Sequence, residues 1–348
     1  MLKSFKQATL KSLKTAGVSS LVQNSRWRRE RLLILAYHGI SLSDEHVWNP
    51  SQYMSPEVFR GRLALLKKSG CTVLGLAEAV RRLYANDLPE RAVAITFDDG
   101  SHDFYSRAFP LLQEFGYPAT LYLTTFYSEL KRPVFDLLCP YLLWKGRTQK
   151  IDLEALTGSG PQFDLAMEQA RADVAARIFQ FANEQKLSAQ DKDELARSLA
   201  VQLKLDYDQL HDQRVLQLLS PDEVKMLARD GADIQLHTHR HRTPMDRQLF
   251  LREIEDNRKS IHEMTGKIAS HFCYPSGVWD RAFLPWLKEA GVDSATTCEF
   301  GLASQNSNPL LLPRLVDVSA LSPIEFESWL TGVSAALPRR REPKQTAA

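Results

Sequence analysis

Two adjacent carboxylates, Asp98 and Asp99, directly follow a short apolar run from Val93 to Phe97, and Gly100 comes next. A run of this kind is typical of a buried parallel strand. Carboxylates at a strand end are expensive to remove from water unless a cation or hydrogen bonds compensate them. In α/β folds, chemistry is placed at the carboxyl ends of such strands. The segment therefore predicts a polar site with a cation partner at one edge of a sheet.

A second polar cluster follows another strand-like run far downstream. After residues 234–236 come three histidines in five residues, His237, His239 and His241. Neutral imidazole is a common transition-metal ligand, and two His with one Asp form a three-ligand set for Zn²⁺. On an extended chain all three histidines share a face, whereas in a helical turn only His237 and His241 do. A solvated loop that is merely rich in His is the alternative, but the carboxylate pair upstream favours a metal site.

The elements that must position these residues follow a strand–helix rhythm along most of the chain. The strand-like runs used here are 32–36, 93–97, 234–236, 271–274 and 294–297, and helical patterns separate them. This alternation predicts an α/β fold in which parallel strands are joined by helical crossovers.

The rhythm breaks over residues 127–219. Two long helical patterns, 164–184 and 188–203, flank no strand-like run there, and residues 157–161 are rich in turn formers. We interpret 127–219 as a helical insertion or lid between two parts of one domain, 32–126 and 220–335. The segment 336–348 is rich in Arg, Pro and Gln and is predicted to be disordered.

Composition excludes several classes of protein. The chain has 348 residues, 25% of them charged, and a formal net charge of +2, which gives no reason to expect nucleic-acid binding. Its four cysteines form no CxxC pair, so no cysteine-type zinc site is expected, and a reducing compartment is favoured. No apolar run is long enough for a transmembrane helix.

The first 31 residues form a basic amphipathic segment. They hold eight Lys or Arg and one Glu, a formal charge of +7, and lysines interrupt any signal-peptide core. Such a helix can lie on an anionic membrane surface or pack on the domain with its basic face exposed. We therefore expect a cytoplasmic protein, peripheral at the inner membrane face if the first alternative holds.

The motifs together resemble those of the polysaccharide deacetylases, carbohydrate esterase family 4, whose catalytic unit is the NodB homology domain. The resemblance rests on T-F-D-D-G at 96–100, H-T-x-x-H at 237–241 and Y-P-x-G at 274–277. It covers roughly residues 32–126 and 220–330. It implies a distorted (β/α) barrel, a divalent metal, usually zinc, and hydrolysis of N-acetyl or O-acetyl groups on sugars.

The resemblance also implies roles for individual residues. Asp99, His237 and His241 would hold the metal, and Asp98 would be the general base, a division of labour that also suits metal-assisted hydrolysis. A backbone N–H of the Y-P-x-G loop, built from Tyr274, Pro275 and Ser276, would stabilise the oxyanion, with Ser276 or Tyr274 as the donor.

The sequence departs from the family pattern in two places. Cys273 stands where peptidoglycan-type members carry the Arg that orients the base, and Arg314 is our candidate substitute. No late His is available as the general acid, and His38 at the end of the first strand is the leading replacement, ahead of His239 and Asp317. Surface or structural roles are the alternatives for Arg314 and His38.

We predict an enzyme that deacetylates an amino-sugar polysaccharide or a lipid-linked glycan precursor. The alternative is a weak or inactive glycan-binding module of an exopolysaccharide assembly system, suggested by the missing Arg and late His. A different amidohydrolase that acts on a small C–N substrate is a third, weaker hypothesis.

Overall fold

The protein is described by a computed structural model that covers residues 2–128, 130 and 132–337. Residues 338–348 of the predicted disordered tail lie outside the described residues. The strands are β1 (Arg31–Tyr37), β2 (Gly39–Ile40), β3 (Tyr53–Met54), β4 (Thr72–Leu74), β5 (Ala92–Phe97), β6 (Thr120–Leu123), β7 (Lys150–Asp152), β8 (Gln162–Asp164), β9 (Asp233–Leu236), β10 (His271–Cys273), β11 (Ser294–Thr296), β12 (Ala303–Ser304) and β13 (Leu315–Val316).

Helices join most of these strands. They are α1 (Leu2–Thr15), α2 (Val18–Gln23), α3 (Arg26–Arg29), α4 (Glu45–Trp48), α5 (Pro56–Lys68), α6 (Leu76–Tyr84), α7 (Phe109–Phe115), α8 (Phe135–Lys145), α9 (Glu154–Thr157), α10 (Glu168–Glu184), α11 (Ala189–Gln202), α12 (Tyr207–Asp212), α13 (Pro221–Arg229), α14 (Arg247–Thr265), α15 (Phe283–Glu289), α16 (Pro323–Thr331) and α17 (Val333–Ala336).

The main sheet is almost entirely parallel. Its order is β11-β10-β9-β6-β5-β1, with β13 also paired to β1, β4 beside the first half of β5, and β12 antiparallel to the start of β1. Connections between parallel neighbours run through helices, as parallel pairing requires. The curled sheet and its helices form the predicted distorted (β/α) barrel.

Alternation along β5 explains which way its polar end faces. Val93, Ile95 and Phe97 belong to the largest hydrophobic core, which they share with α5 and α14 residues. Ala92 and Ala94 belong instead to a smaller cluster that includes Tyr122 and Cys273 from neighbouring strands. Because strand residues alternate in direction, this second face continues through Thr96 to Asp98. Asp98 therefore faces the interior of the barrel.

Local signals set several helix starts. Ser55 and Ser220 cap α5 and α13, each with Pro at the first helical position, and Glu223 completes a capping box at α13. The prediction of one helix over 164–184 was wrong at its start. Residues 162–164 pair with β7 as an antiparallel hairpin, and the helix begins only at Glu168.

Residues between β6 and α13 build a separate hydrophobic core. Helices α8, α10 and α11 pack together around buried residues that include Leu142, Ile178 and Leu199. Tyr53 of β3 belongs to the same cluster, so this core is continuous with a loop of the barrel. We call α8–α12 with the β7–β8 hairpin the helical insertion.

The basic N-terminal helix packs on the domain. Lys6 and Lys14 of α1 pair with Glu325 and Glu327 of α16, at 3.0 and 2.7 Å, and Leu10 is buried. Within the part of the chain that the structure describes, no helix is both long and apolar enough to cross a membrane. The arrangement is that of the packed-helix alternative, and binding of residues 1–31 to an anionic membrane stays a prediction.

Candidate metal centre

A tight turn after β5 sends its two carboxylates in different directions. Asp98 is buried, its N–H bonded to the carbonyl of Tyr37, whereas Asp99 is half-buried and has a left-handed backbone with φ of 72°. Gly100 follows with φ of 85°, and a Cβ there would lie 2.3 Å from Leu123 Cδ1, so glycine is required. The turn thus separates one carboxylate for the interior from one for the open rim.

Asp99 meets two of the three histidines. Oδ1 of Asp99 lies 3.1 Å from Nε2 of His237 and 3.2 Å from Nε2 of His241. The ligand atoms of these three residues all lie within 4.8 Å of one another. Burial raises the pKa of Asp99, but hydrogen bonds from both imidazoles outweigh this and hold the pKa well below its usual range. The structure therefore brings the predicted metal ligands together.

The other atoms of His237 are fixed by the barrel. Its Nδ1 lies 2.9 Å from the carbonyl oxygen of Cys273, which can only accept, so Nδ1 carries a proton and Nε2 is the nitrogen turned toward Asp99. Its backbone N–H donates to Oδ1 of Asn257 at 2.9 Å, and the amide of Asn257 donates to the carbonyl of Leu123. His237 is thereby oriented as a metal ligand before any ion binds.

The histidine loop decides between the two geometries left open by the sequence. His237 and His241 meet at Asp99, while Nδ1 of His239 lies 2.8 Å from Oγ1 of Thr125. The loop reaches this arrangement through left-handed backbone conformations at Thr238 and His241, not through a helical turn. His239 thus lies apart from the ligand pair, against Phe126.

Buried Glu253 of α14 holds this loop. Its carboxylate accepts from the Arg240 N–H at 2.8 Å and from Nε of Arg242 at 2.8 Å. Asn257 lies one turn further along the same helix. Sequence reasoning missed both residues, although polar side chains four apart in the apolar stripe of Phe250 and Ile261 were a readable signal.

Arg314 binds Asp98 with both ends of its guanidinium. Nη1 and Nη2 donate to Oδ1 and Oδ2 of Asp98, each at 2.7 Å, and Nε donates to the carbonyl of Thr297. Both side chains are buried. Burial raises the pKa of Asp98, but the charge and hydrogen bonds of Arg314 outweigh this and leave the pKa below its ordinary value. Asp98 is thus an oriented, ionised carboxylate.

The small side chain at 273 makes room for this guanidinium. Sγ of Cys273 lies 3.1 Å from Nη2 of Arg314 and 3.6 Å from Oδ2 of Asp98. Asp98, His237 and Cys273 also lie close enough to suggest a second metal site. However, Arg314 occupies both oxygens of Asp98, and burial raises the pKa of the Cys273 thiol well above its usual value. The Asp99 cluster is therefore the better cation site.

The remaining predicted residues divide into near and distant groups. Nε2 of His38 lies 3.9 Å from Oδ2 of Asp98, so the structure places this imidazole beside the carboxylate. Asp317 is buried and bonded to Arg62 at 2.9 Å, which occupies it with a structural ion pair. Asp317 is accordingly a poor candidate for the acid.

The loop after β10 carries the predicted oxyanion donors. The N–H of Tyr274 donates to the carbonyl of Thr296 at 3.3 Å, and the Tyr274 hydroxyl donates to that of Leu310. Pro275 is buried, and Ser276 follows with φ of 56°. Since the Tyr274 N–H is already used, Ser276 is the stronger candidate of the two.

A cleft of about 400 Å³ opens beside Asp99 and His241. It extends away from the barrel to the first turns of α8 and α11, where Phe135 and Lys192 line it. Sequence reasoning proposed a lid here but named none of its residues.

Comparison with protein families identifies one match. The family model described as "Polysaccharide deacetylase" matches residues 85–150 and 170–295. The curated proteins that the chain resembles include the poly-beta-1,6-N-acetyl-D-glucosamine N-deacetylases of Escherichia coli K12, 31% identical over 29% of the chain, and of Staphylococcus epidermidis, 26% identical over 42%. The chain spans 15% and 53% of the lengths of these two relatives.

Solved structures show the same fold. The Streptococcus pyogenes deacetylase PplD, in complex with acetate, has a TM-score of 0.57 at 19% identity, over 88% of this chain and 99% of that one. The structure of IcaB from Ammonifex degensii has a TM-score of 0.52 at 16% identity, over 86% and 97%. At such identities the likeness concerns the fold alone.

Proposed function

This chain belongs to the polysaccharide deacetylase family, and from that premise we propose that it is a metal-dependent hydrolase of N-acetyl groups on an amino-sugar polymer. The observation that carries the proposal is the pair of functions built into adjacent residues. Asp99 lies with two imidazoles at the rim, and Asp98 is held ionised by Arg314 within the barrel.

The residues present fit a divalent cation. Nε2 of His237 and of His241 both face Oδ1 of Asp99, and the bond from Nδ1 of His237 to the Cys273 carbonyl leaves Nε2 as the nitrogen for the cation. Two neutral imidazoles and a carboxylate form a donor set of catalytic zinc, and we propose Zn²⁺. When bound, the cation would act as a Lewis acid and lower the pKa of water.

Each nearby side chain has a task in amide hydrolysis. Asp98 would accept the proton of the attacking water, and Arg314 would orient it for that transfer. The Ser276 N–H would stabilise the oxyanion. His38, beside Asp98, would protonate the departing amine, with His239 as the alternative. The bond from His239 to Thr125 favours His38.

The substrate proposal rests on the curated relatives. Both act, by name, on poly-β-1,6-N-acetyl-D-glucosamine. We propose an N-acetylglucosamine polymer as the substrate, with the β-1,6-linked tetramer as the first compound to test. An O-acetylated sugar and a lipid-linked precursor are the further compounds, and a membrane-associated site of action would suit the latter.

The binding-module alternative has lost part of its motivation. It was suggested by the missing Arg at position 273, but Arg314 supplies a guanidinium to Asp98 from the segment just before β13. A protein that binds the tetramer without turnover would still support it.

Acetate release from the tetramer tests the proposal. The Zn²⁺-loaded protein should deacetylate it, chelation should abolish activity, and Zn²⁺ should restore it. Asp98→Asn should lower kcat by about 10³-fold, since general-base catalysis contributes on that order. Full activity in metal-free protein would refute the metal-dependent mechanism. Activity only on small amides would support the third hypothesis.

A further inference from the structure

The cleft beside the metal centre has one wall from the barrel and one from the helical insertion. Asp99 and His241 stand at the barrel end, and Phe135, Asp136 and Lys192 stand at the insertion end. The volume of about 400 Å³ is in the range of small-molecule sites. A polymer whose acetyl group lies at the metal centre would extend an adjacent unit into this space.

Some charged side chains of the insertion wall have no ion pair among the described residues. Among the described residues, neither Asp136 nor Lys192 forms an ion pair or a side-chain hydrogen bond. By contrast, Asp193 accepts from the hydroxyl of Tyr207, and Arg240 pairs with Glu253 at 3.1 Å. Asp136 thus remains available as an acceptor and Lys192 as a donor at the insertion end, which Arg132 also lines.

An aromatic ring, Phe135, lies beside Lys192 in the cleft wall. The ring of Phe135 is held edge-on by Phe179, with centroids 5.8 Å apart, and Nζ of Lys192 lies 5.7 Å from its centroid. Aromatic rings provide apolar surface for the C–H groups of a sugar, while its hydroxyls both donate and accept. A wall that carries a carboxylate, cations and a ring suits a neutral pyranose, whose hydroxyls can donate to Asp136 and accept from Lys192.

We propose that Phe135, Asp136 and Lys192 form a subsite for the sugar next to the one that is deacetylated. This inference rests on the proposed function and adds the substrate length. The enzyme would act on oligomers and discriminate against single sugars, because part of the binding energy comes from the insertion.

The test compares two substrates in the wild type and three variants. For Lys192→Ala and Asp136→Ala, kcat/KM on the β-1,6-linked tetramer should fall about tenfold each, since hydrogen bonds to charged groups contribute on that order. With N-acetylglucosamine methyl glycoside, kcat/KM should not change. Lys150→Ala, an exposed lysine on β7, is the matched control and should leave both values unchanged.

Calorimetric binding of the tetramer to the Zn²⁺-loaded protein separates this inference from the proposed function. Binding that both variants weaken, without turnover of any substrate, would leave the subsite standing and overturn the function. Turnover of the tetramer that neither variant affects would support the proposed function and overturn the subsite. Tighter binding of the ligand to Asp136→Ala would show that the site prefers an anion and would overturn the neutral-sugar subsite. If the tetramer bound none of the proteins, wild type included, both the subsite and the proposed function would be overturned.

Discussion

The candidate metal centre and the insertion wall of the same cleft differ in whether their charged side chains have partners within the protein. At the metal centre Asp98 has two partners on one guanidinium, and His237 has a carbonyl behind it. At the insertion wall, Lys192 and Asp136 face solvent space with no ion pair among the described residues. Buried charges demand compensation, whereas exposed ones do not. The proposed chemistry thus lies among charges that the barrel compensates, and the proposed recognition lies among groups that a ligand could still satisfy.

The strongest way to break this contrast is to remove a partner in the interior. Arg314→Ala leaves Asp98 buried without a counter-charge and should lower the free energy of unfolding by about 3–5 kcal/mol, measured by chemical denaturation. Arg60→Ala, whose partner Glu114 is exposed, is the control and should cost at most about 1 kcal/mol. Equal losses in the two variants would contradict the assignment of Arg314.

The same variant carries a pH signature. The folded-state pKa of Asp98 lies below its ordinary value of 3.8, so its stabilisation is complete above that value and is lost as pH falls through the lowered pKa. In Arg314→Ala the burial of Asp98 is no longer offset and raises its pKa, so the stability difference between wild type and variant should shrink as pH falls from neutral and be smallest below about pH 4.

A smaller effect, on Zn²⁺ affinity, is expected from Asn257, which contacts a candidate metal ligand and would not contact the metal itself. Asn257→Ala removes the acceptor for the His237 N–H and should weaken Zn²⁺ binding about tenfold, measured by competition with a chelator. Gln248→Ala, exposed on the same helix, is the control. Unchanged affinity in Asn257→Ala would mean that the carbonyl of Cys273 alone orients the imidazole.

Asp103 is a second buried carboxyl of the interior, and its pKa shifts in the direction opposite to that of Asp98. Burial raises its pKa to about 7, although it accepts hydrogen bonds from Ile40 and Ser101. A raised folded-state pKa means that stability falls as pH rises from about 4 to 7. In metal-free protein, Asp103→Asn should remove this slope and be the more stable protein at pH 7. Parallel pH profiles for both proteins would contradict it.

The smallest effect should come from within the insertion. Tyr207→Phe removes the hydroxyl that donates to Asp193 and should cost about 1 kcal/mol of stability. Zn²⁺ affinity should not change, because Tyr207 and Asp193 do not belong to the candidate ligand set of Asp99, His237 and His241. A shift in Zn²⁺ affinity would show that the helical insertion and the candidate metal centre are coupled, which would contradict their separation.

Sequence reasoning succeeded where chemistry and strand ends coincide. Asp99, His237 and His241 each lie just after a strand, so parallel topology alone brings them to one rim. Arg314 was identifiable only through resemblance, since 216 positions separate it from Asp98. Neither spacing nor periodicity predicts that pair.

Other features depended on packing that no local pattern records. The direction of His239 is set by Thr125, a residue of another loop. The false helix start at Asp164 arose because strand pairing with Lys150 overrides the local helical pattern. The cleft wall needs α8 and α11 side by side, and their amphipathic patterns give no relative placement.

The guanidinium that orients Asp98 is attached immediately before β13, the strand that closes the barrel against β1. Most of the sheet, both carboxylates and all the imidazoles precede it in the order of synthesis. A nascent chain that has emerged only as far as α15 therefore contains the candidate metal ligands and Asp98 but not the guanidinium that pairs with this carboxylate. By this connectivity, Asp98 gains its counter-charge only when the segment that closes the barrel has been made.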